Sequence, residues 1–175
     1  EKLQTSKFLF NNATFPPEFT KRPDQIYINM WHGTPLKKMG YDVEGGADAA
    51  RNVMRNFMSA DYLLSQNEFM TNQMYLGAYK LKNVYEGAIV EEGYPRADRM
   101  FGANAGSDAR KVLREKGVET AGKRVLIYAP TWRGESFYRP DADAARLKAT
   151  LKSLQSNPEL KDWVVLLKAH QVVFD

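Results

Sequence analysis

The chain has 175 residues, of which 43% are hydrophobic and 26% charged, with a net charge of +4 and no cysteine. This composition supports a packed core and excludes disulfide frameworks and thiolate metal sites. No apolar run approaches the roughly 20 residues of a membrane span, and no signal-peptide pattern opens the chain. The net positive charge fits either an ordinary solvated surface or an anionic partner, which could be a phosphate, a nucleotide, an acidic polymer or a lipid surface. The basic residues are scattered and form no dense stripe, which argues against a nucleic-acid interface.

Apolar runs alternate with helical patterns in the first half of the chain. In chain order they predict a strand at 25–31, a helix at 48–60, a strand at 61–66, a helix at 67–81 and a strand at 88–93. We expect Asn67 to cap the second helix. The first helix carries one apolar stripe, formed by Val53, Met54, Phe57 and Met58.

The composition changes at residues 94–108, where Pro, Gly, Asn and Ser predict a turn or linker. The elements predicted after it are a helix at 108–118, a strand at 123–130, a helix at 141–157 and a strand at 162–170. Strands that alternate with helices indicate an α/β fold with a mainly parallel sheet. Neither half has enough strands for a complete Rossmann domain, so each is expected to be part of a larger lobe.

Both histidines of the chain lie at the ends of predicted strands. His32 follows the strand at 25–31, and His170 ends the strand at 162–170. The strand at 123–130 runs into a polar turn that contains Thr131 and Arg133. Open α/β sheets bind ligands at the carboxyl ends of their strands, so these residues are candidates for a functional site.

Each candidate also has a purely structural interpretation. A histidine after a strand is often only hydrogen-bonded, and a lone arginine often belongs to a surface ion pair. The structural interpretation of Trp31 and Trp132 is packing, and that of Lys37 and Lys38 is a solvated pair of charges. Residues 33–35 could form only a turn. No glycine-rich phosphate motif is present. The residues taken singly leave the role of His32 open.

Four segments in combination resemble a known family. They are WHGTPLKKMGYD (31–42), GYPRADRM (93–100), YAPTWRG (128–134) and LLKAH (166–170). With these segments in this order, the chain resembles the CDP-glycerol glycerophosphotransferases that build the poly(glycerol phosphate) or related chains of teichoic acids. The first segment is highly specific and the third nearly so.

The resemblance implies a GT-B-like fold, with parts of two Rossmann-type lobes and mainly parallel sheets. Residues 1–95 would end the N-terminal, acceptor-side lobe, and residues 105–175 would begin the C-terminal, nucleotide-side lobe. The implied reaction transfers glycerol phosphate from CDP-glycerol to the terminal hydroxyl of a lipid-linked polymer, releases CMP, and uses no metal or other cofactor. We therefore expect a peripheral protein at the cytoplasmic face of the membrane, with an anionic lipid surface as a partner and helix 48–60 as a candidate contact.

The resemblance also implies roles for individual residues. His32 matches the histidine of the HGTP motif and is expected to be the general base. His170 resembles the second essential histidine and is expected to assist the leaving pyrophosphate, together with Lys168. Further substrate-binding candidates are Gly33, Thr34, Arg96, Thr131 and Arg133.

Some features depart from the family or leave alternatives open. Gln171 stands where the family usually has proline, and Ala97 where asparagine is common. The chain begins at Glu1 and ends before the segments that complete the nucleotide pocket, so we expect it to be part of a longer polypeptide. A glycerol or ribitol phosphate donor, a polymerase or primase, and any oligomeric state all fit. Two other hypotheses are a sugar-nucleotide-dependent GT-B glycosyltransferase and an inactive polymer- or lipid-binding fragment.

Overall fold

A computed structural model describes residues 2–130, 133–136, 139–141 and 144–169 of the chain, and describes side chains over 2–130 and 145–169. The chain divides into two compact units, Glu1–Gly102 and Ala103–Asp175. The first unit contains a four-stranded sheet and most of the buried side chains. Each unit is described by itself below.

The sheet of the first unit is entirely parallel. Its strands are β1 (Phe8–Asn11), β2 (Ile26–Asn29), β3 (Tyr62–Ser65) and β4 (Ala88–Glu91), and they lie side by side in chain order. The strands predicted at 25–31, 61–66 and 88–93 are therefore confirmed, with shorter ends. All four carboxyl ends meet at one edge of the sheet, which places the residues after them close together.

Two helices connect β2 to β3 and β3 to β4. The first is α2 (Gly46–Ser59), which follows a short N-terminal helix, α1 (Lys2–Thr5). The second, Met70–Ala78, is wound as a π-helix, and the Tyr79 N–H still donates to the Met74 carbonyl five residues back. The helix predicted at 67–81 thus exists but has a wider winding. Asn67 caps it as predicted, since its side-chain oxygen accepts from the Met70 N–H at 2.9 Å.

The core lies on one face of this sheet. Leu9, Tyr27 and Leu63 point into it from three strands and pack in one cluster with Phe57 of α2 and Tyr75 of the π-helix. Side chains of the opposite face are half-buried or exposed, and this face includes Phe8, Phe10, Tyr62 and Ala88. Ile26 and Ile28 of β2 also belong to this face and are only half-buried.

The apolar stripe predicted on α2 is only partly correct. Phe57 is fully buried, and Val53 and Met54 pack half-buried against the core. Met58 is 42% exposed and lies outside the core. Asn56 is buried instead, because its amide hydrogen-bonds to the backbone of Phe15 and accepts from the Tyr27 hydroxyl.

The second unit contains a parallel strand pair and a small hairpin. Strands β5 (Arg124–Tyr128) and β8 (Trp163–Leu167) are the predicted parallel pair, and β6 (Arg133–Ser136) and β7 (Arg139–Asp141) form an antiparallel hairpin that was not predicted. Helices α4 (Ala105–Glu115) and α5 (Ala144–Ser156) agree with the predicted helices, although α4 begins three residues earlier. The predicted linker at 94–108 is partly helical, since it contains α3 (Pro95–Asp98) and the start of α4.

Candidate functional site

The candidate site lies at the carboxyl edge of the first unit's sheet. Asn12 follows β1, His32 follows β2 after two intervening residues, and Gln66 follows β3. Polar side chains therefore gather where parallel strands end, which is the place where open α/β sheets bind ligands.

The His32 imidazole is exposed and held by a hydrogen bond. Its Nδ1 lies 2.8 Å from the backbone carbonyl oxygen of Asn12. A carbonyl can only accept, so Nδ1 must carry the proton of this hydrogen bond. In the neutral imidazole, Nε2 then carries the lone pair and is the basic nitrogen.

The indole ring of Trp31 stacks against the imidazole ring of His32. The two rings are stacked, with centroids 4.1 Å apart and planes 30° apart. Trp31 is buried and meets Phe57 edge-on at 5.2 Å. Its backbone has a φ of 48°, in the left-handed region that bulky residues seldom adopt, so the surrounding contacts must hold it there.

The turn after His32 combines an open space with a link to β3. A Cβ atom placed on Gly33 would meet no atom within 4 Å, so the space beside this backbone is open. The Thr34 hydroxyl donates a hydrogen bond to the side-chain oxygen of Gln66. Thr34 is therefore tied to the end of the neighbouring strand.

Arg96 contacts the His32 backbone directly. Its Nη2 donates to the His32 carbonyl oxygen at 3.0 Å, and its guanidinium lies 4.6 Å from the centre of the Tyr94 ring. Burial raises the pKa of the Tyr94 phenol, so this ring stays neutral beneath the cation. The structure thus brings together four of the predicted site residues: His32, Gly33, Thr34 and Arg96.

The remaining predicted residues belong to the second unit. Lys168 is exposed just after β8, and its backbone N–H donates to the Tyr128 carbonyl at 2.9 Å. Thr131 and His170 lie outside the described residues, as does the side chain of Arg133. Their predicted roles stay predictions.

Three asparagine or glutamine residues of this edge were missed by the sequence analysis. Asn12 supplies the carbonyl for His32, Gln66 accepts from Thr34, and Asn29 is a buried amide near the end of β2. Gln66 gave no signal, because its partner Thr34 is 32 residues away. Asn29 gave none, because an asparagine within an apolar strand does not show which backbone groups its amide reaches. Asn12 gave no signal either, because it contributes its backbone carbonyl and not its side chain.

A cleft of about 890 Å³ lies at the amino edge of the sheet, opposite the candidate site. Lys21 and Asp61, which line it, form an ion pair at 2.7 Å. The Asp61 carboxylate also accepts from the Tyr27 N–H at 2.7 Å. These contacts connect the segment before β2 to the residue before β3.

In the part of the chain that the structure describes, no three His, Asp or Glu side chains are grouped to hold a metal ion. Over the same ranges, none of the helices combines the length and the apolarity needed to cross a bilayer.

A parallel α/β sheet with an exposed histidine at its carboxyl edge is the arrangement in which open α/β proteins bind their ligands. Comparison with known proteins is more specific: residues 1–174 match the family described as CDP-Glycerol:Poly(glycerophosphate) glycerophosphotransferase. The chain belongs to this family, as its motifs predicted.

Two curated relatives are teichoic acid poly(glycerol phosphate) polymerases. The one from Bacillus spizizenii (strain ATCC 23059 / NRRL B-14472 / W23) is 29% identical over 178 residues, which cover 98% of this chain and 43% of the relative. The one from Staphylococcus epidermidis (strain ATCC 35984 / DSM 28319 / BCRC 17069 / CCUG 31568 / BM 3577 / RP62A) is 32% identical over 171 residues, which cover 93% and 23%. The chain thus spans less than half the length of these relatives.

Solved structures give the same result for the fold. The wall teichoic acid polymerase TagF matches with a TM-score of 0.68 and 29% identity, over 95% of this chain and 41% of that one. A histidine-to-asparagine variant of TagF soaked with CDPG matches with a TM-score of 0.75 and 28% identity, over the same shares. The predicted α/β, GT-B-like fold class is confirmed.

Proposed function

We propose that the complete protein transfers glycerol phosphate from CDP-glycerol to the terminal hydroxyl of a lipid-linked, teichoic-acid-type polymer and releases CMP. The observation that carries this proposal is the His32 imidazole, exposed at the strand edge with Nδ1–H directed at the Asn12 carbonyl. Membership of the glycerophosphotransferase family supports the donor and the acceptor class.

In the proposed reaction, Nε2 of His32 removes the proton from the acceptor hydroxyl. The hydroxyl oxygen forms a bond to the β-phosphorus of CDP-glycerol, and the bond from that phosphorus to the bridging oxygen breaks. CMP leaves with the bridging oxygen. When Nε2 gains the proton, the Nδ1–H hydrogen bond to Asn12 becomes charge-assisted. This hydrogen bond therefore stabilises the imidazolium form of His32.

The donor phosphates need cationic and hydrogen-bonding groups. We propose Arg96 for this role in the first unit, because its guanidinium already lies at the His32 backbone. In the second unit we propose Lys168, Thr131, Arg133 and His170, with His170 assisting the leaving group. We further propose that residues 1–95 end the acceptor-side lobe and residues 105–175 begin the nucleotide-side lobe.

We propose peripheral association with an anionic membrane surface at the cytoplasmic face. Leu36 is 97% exposed, and it lines one shallow concavity with Lys38 and the exposed Phe69. Apolar side chains beside a lysine suit the interface of an anionic bilayer. This surface is better suited than α2, because Arg55 of α2 donates hydrogen bonds to the Phe19 and Pro16 carbonyls.

The test of the proposed function is a nucleotide-release assay on the complete protein. With a lipid-linked glycerol phosphate primer, we expect CMP from CDP-glycerol and no UDP from UDP-sugars. Release of UDP would instead favour a sugar-nucleotide-dependent glycosyltransferase. Absence of release from either donor, with the polymer still bound, would favour an inactive binding protein.

A further inference from the structure

A single buried amide connects both sides of the His32 site. Asn29, at the end of β2, is fully buried. Its Nδ2 donates to the Ala13 carbonyl at 2.9 Å and to the Tyr27 hydroxyl oxygen at 2.7 Å, and its Oδ1 accepts from the Trp31 N–H at 2.9 Å. The amide therefore uses both of its donor hydrogens and its acceptor oxygen.

These partners flank the two groups that form the His32 hydrogen bond. Ala13 directly follows Asn12, whose carbonyl oxygen lies 2.8 Å from Nδ1 of His32. Trp31 directly precedes His32, and its indole ring stacks against the imidazole of His32. Asn29 thus ties the loop that supplies the acceptor to the turn that carries the donor.

A second amide supports the same loop from α2. Asn56 accepts from the Phe15 N–H at 2.7 Å and donates to the Phe15 carbonyl at 3.1 Å. The Tyr27 hydroxyl, which accepts from Asn29, donates in turn to Asn56 at 3.3 Å. Residues 13–15 are therefore held at both ends by one buried hydrogen-bonded network.

We propose that Asn29 is a positioning residue that sets the tautomer of His32. By fixing Ala13 and Trp31, it keeps the Asn12 carbonyl against Nδ1, so that the proton stays on Nδ1 and the lone pair on Nε2. A histidine side chain free in water favours the opposite, Nε2–H tautomer, which has no basic nitrogen at the outer position. The catalytic consequence rests on the proposed function, but the tautomer itself does not.

The side chain at position 29 has little freedom to change. Leucine has a similar size but neither donor nor acceptor, so Asn29→Leu leaves the Ala13 carbonyl and the Trp31 N–H without their partner. Serine is smaller and leaves space for water, so Asn29→Ser is the gentler variant if the leucine variant fails to fold.

Gln25 offers a matched control on the same strand segment. It directly precedes β2 and is 2% exposed. Its amide also makes three hydrogen bonds, as donor to the Leu3 and Ser6 carbonyls at 2.7 Å each and as acceptor from the Arg22 N–H at 3.0 Å. These bonds lie at the amino edge of the sheet, so Gln25→Leu removes an equivalent amide that does not contact the His32 loop.

The experiment measures the ring ¹⁵N chemical shifts of His32 in protein labelled with ¹⁵N-histidine, at a pH where the ring is neutral. The His32 signals are those that disappear in His32→Gln. In the wild type and in Gln25→Leu, we expect the ¹⁵N shift of a pyrrole-type, hydrogen-bearing nitrogen for Nδ1 and that of a pyridine-type nitrogen for Nε2. In Asn29→Leu or Asn29→Ser we expect the two shifts to move toward the exchange average or to invert.

An unchanged Nδ1–H tautomer in a folded Asn29 variant would overturn the proposal. So would an equal change in Gln25→Leu, because the effect would then be general loss of structure. The kinetic readout is separate: we expect Asn29→Ser to lower kcat with little change in donor KM. If the tautomer shifts as expected but the wild type releases no CMP, the proposed function fails while the role of Asn29 stands.

Discussion

Nδ1 of His32 lies 2.8 Å from the carbonyl oxygen of Asn12, which is 20 residues earlier in the chain. The two residues follow neighbouring parallel strands, so the sheet itself brings them together. The hydrogen bond assigns the ring proton to Nδ1 and makes Nε2 the basic nitrogen. A side chain whose role the sequence left open is thereby oriented for proton removal.

Arg96→Ala should impair function without unfolding the protein. The substitution removes the hydrogen bond to the His32 carbonyl and a cation from the site edge. A charge-assisted hydrogen bond contributes about 1.5–3 kcal/mol, so we expect kcat/KM for CDP-glycerol to fall by roughly tenfold or more. Arg99→Ala, three residues later and exposed, is the control and should leave kcat/KM unchanged. Equal losses in the two variants would indicate a general charge effect.

Phe57→Ala should destabilise the first unit strongly. Phe57 is fully buried and meets Trp31, Tyr75 and Tyr79 edge-on at 5.0–5.2 Å. Removing a buried phenyl ring typically costs about 3–5 kcal/mol, which urea denaturation measures. Met58→Ala is the adjacent control, and we expect less than about 1 kcal/mol because surface substitutions have small effects. Similar losses for both would contradict the assignment of Met58 to the surface.

Asp61 should make stability depend on acid pH. Burial alone would raise the pKa of this carboxyl, but the hydrogen bonds from Lys21 and from the Tyr27 N–H outweigh it and hold the pKa below its usual range. A lowered pKa in the folded state stabilises the protein above the unfolded-state pKa of about 3.9, and this contribution is lost as the pH falls through the folded-state pKa. We expect Asp61→Asn to unfold at lower urea concentration at pH 7, and the difference from wild type to shrink below about pH 4.

Asp24→Asn is the control for this prediction. The Asp24 carboxylate pairs with Arg22, and both side chains are exposed, so the pair adds little to stability. We expect the Asp24→Asn denaturation midpoint to follow wild type across the same pH range. A difference between Asp61→Asn and wild type that does not change between pH 7 and pH 2 would show that the carboxylate charge is not responsible.

Leu36→Ser should weaken membrane association. Leu36 is almost fully exposed and lines the concavity that also contains Lys38 and Phe69. Flotation with vesicles of phosphatidylglycerol and phosphatidylcholine should recover less of this variant than of wild type at low salt. Val112→Ser replaces a half-exposed valine of α4 and should float like wild type. If the wild-type protein stays at the bottom of the gradient, this surface does not bind the membrane.

The sequence predicted the helices and strands that have a clear local hydrophobic pattern. It did not predict the elements that depend on partners distant in sequence. Residues 25–31 and 61–66 are short apolar runs between turn residues, so their strands could be predicted. Strand β1 was not predicted, because a run of four residues is too short to show a hydrophobic periodicity and no helix pattern follows it. Its pairing with β2 depends on the whole sheet. The π-winding of Met70–Ala78 was likewise hidden, since it depends on which carbonyl each N–H reaches.

The candidate site was predictable to a similar extent. His32 could be placed at a strand end because a strand pattern precedes it directly. Its acceptor could not be predicted, because the Asn12 carbonyl belongs to the backbone of another strand end. Asn29 looked like one more residue of an apolar strand, and only the three-dimensional structure shows that its amide joins two loops.

The proposed function makes His32 the general base of a glycerophosphotransferase. The most direct test is the rate of CMP release from CDP-glycerol by the complete protein, compared between wild type and His32→Ala. A positioned base accounts for about 10²–10⁴-fold in rate, so we expect kcat to fall by that factor while donor KM and the urea midpoint stay near wild type. A folded His32→Ala variant that retains near-normal kcat would show that His32 is not the general base.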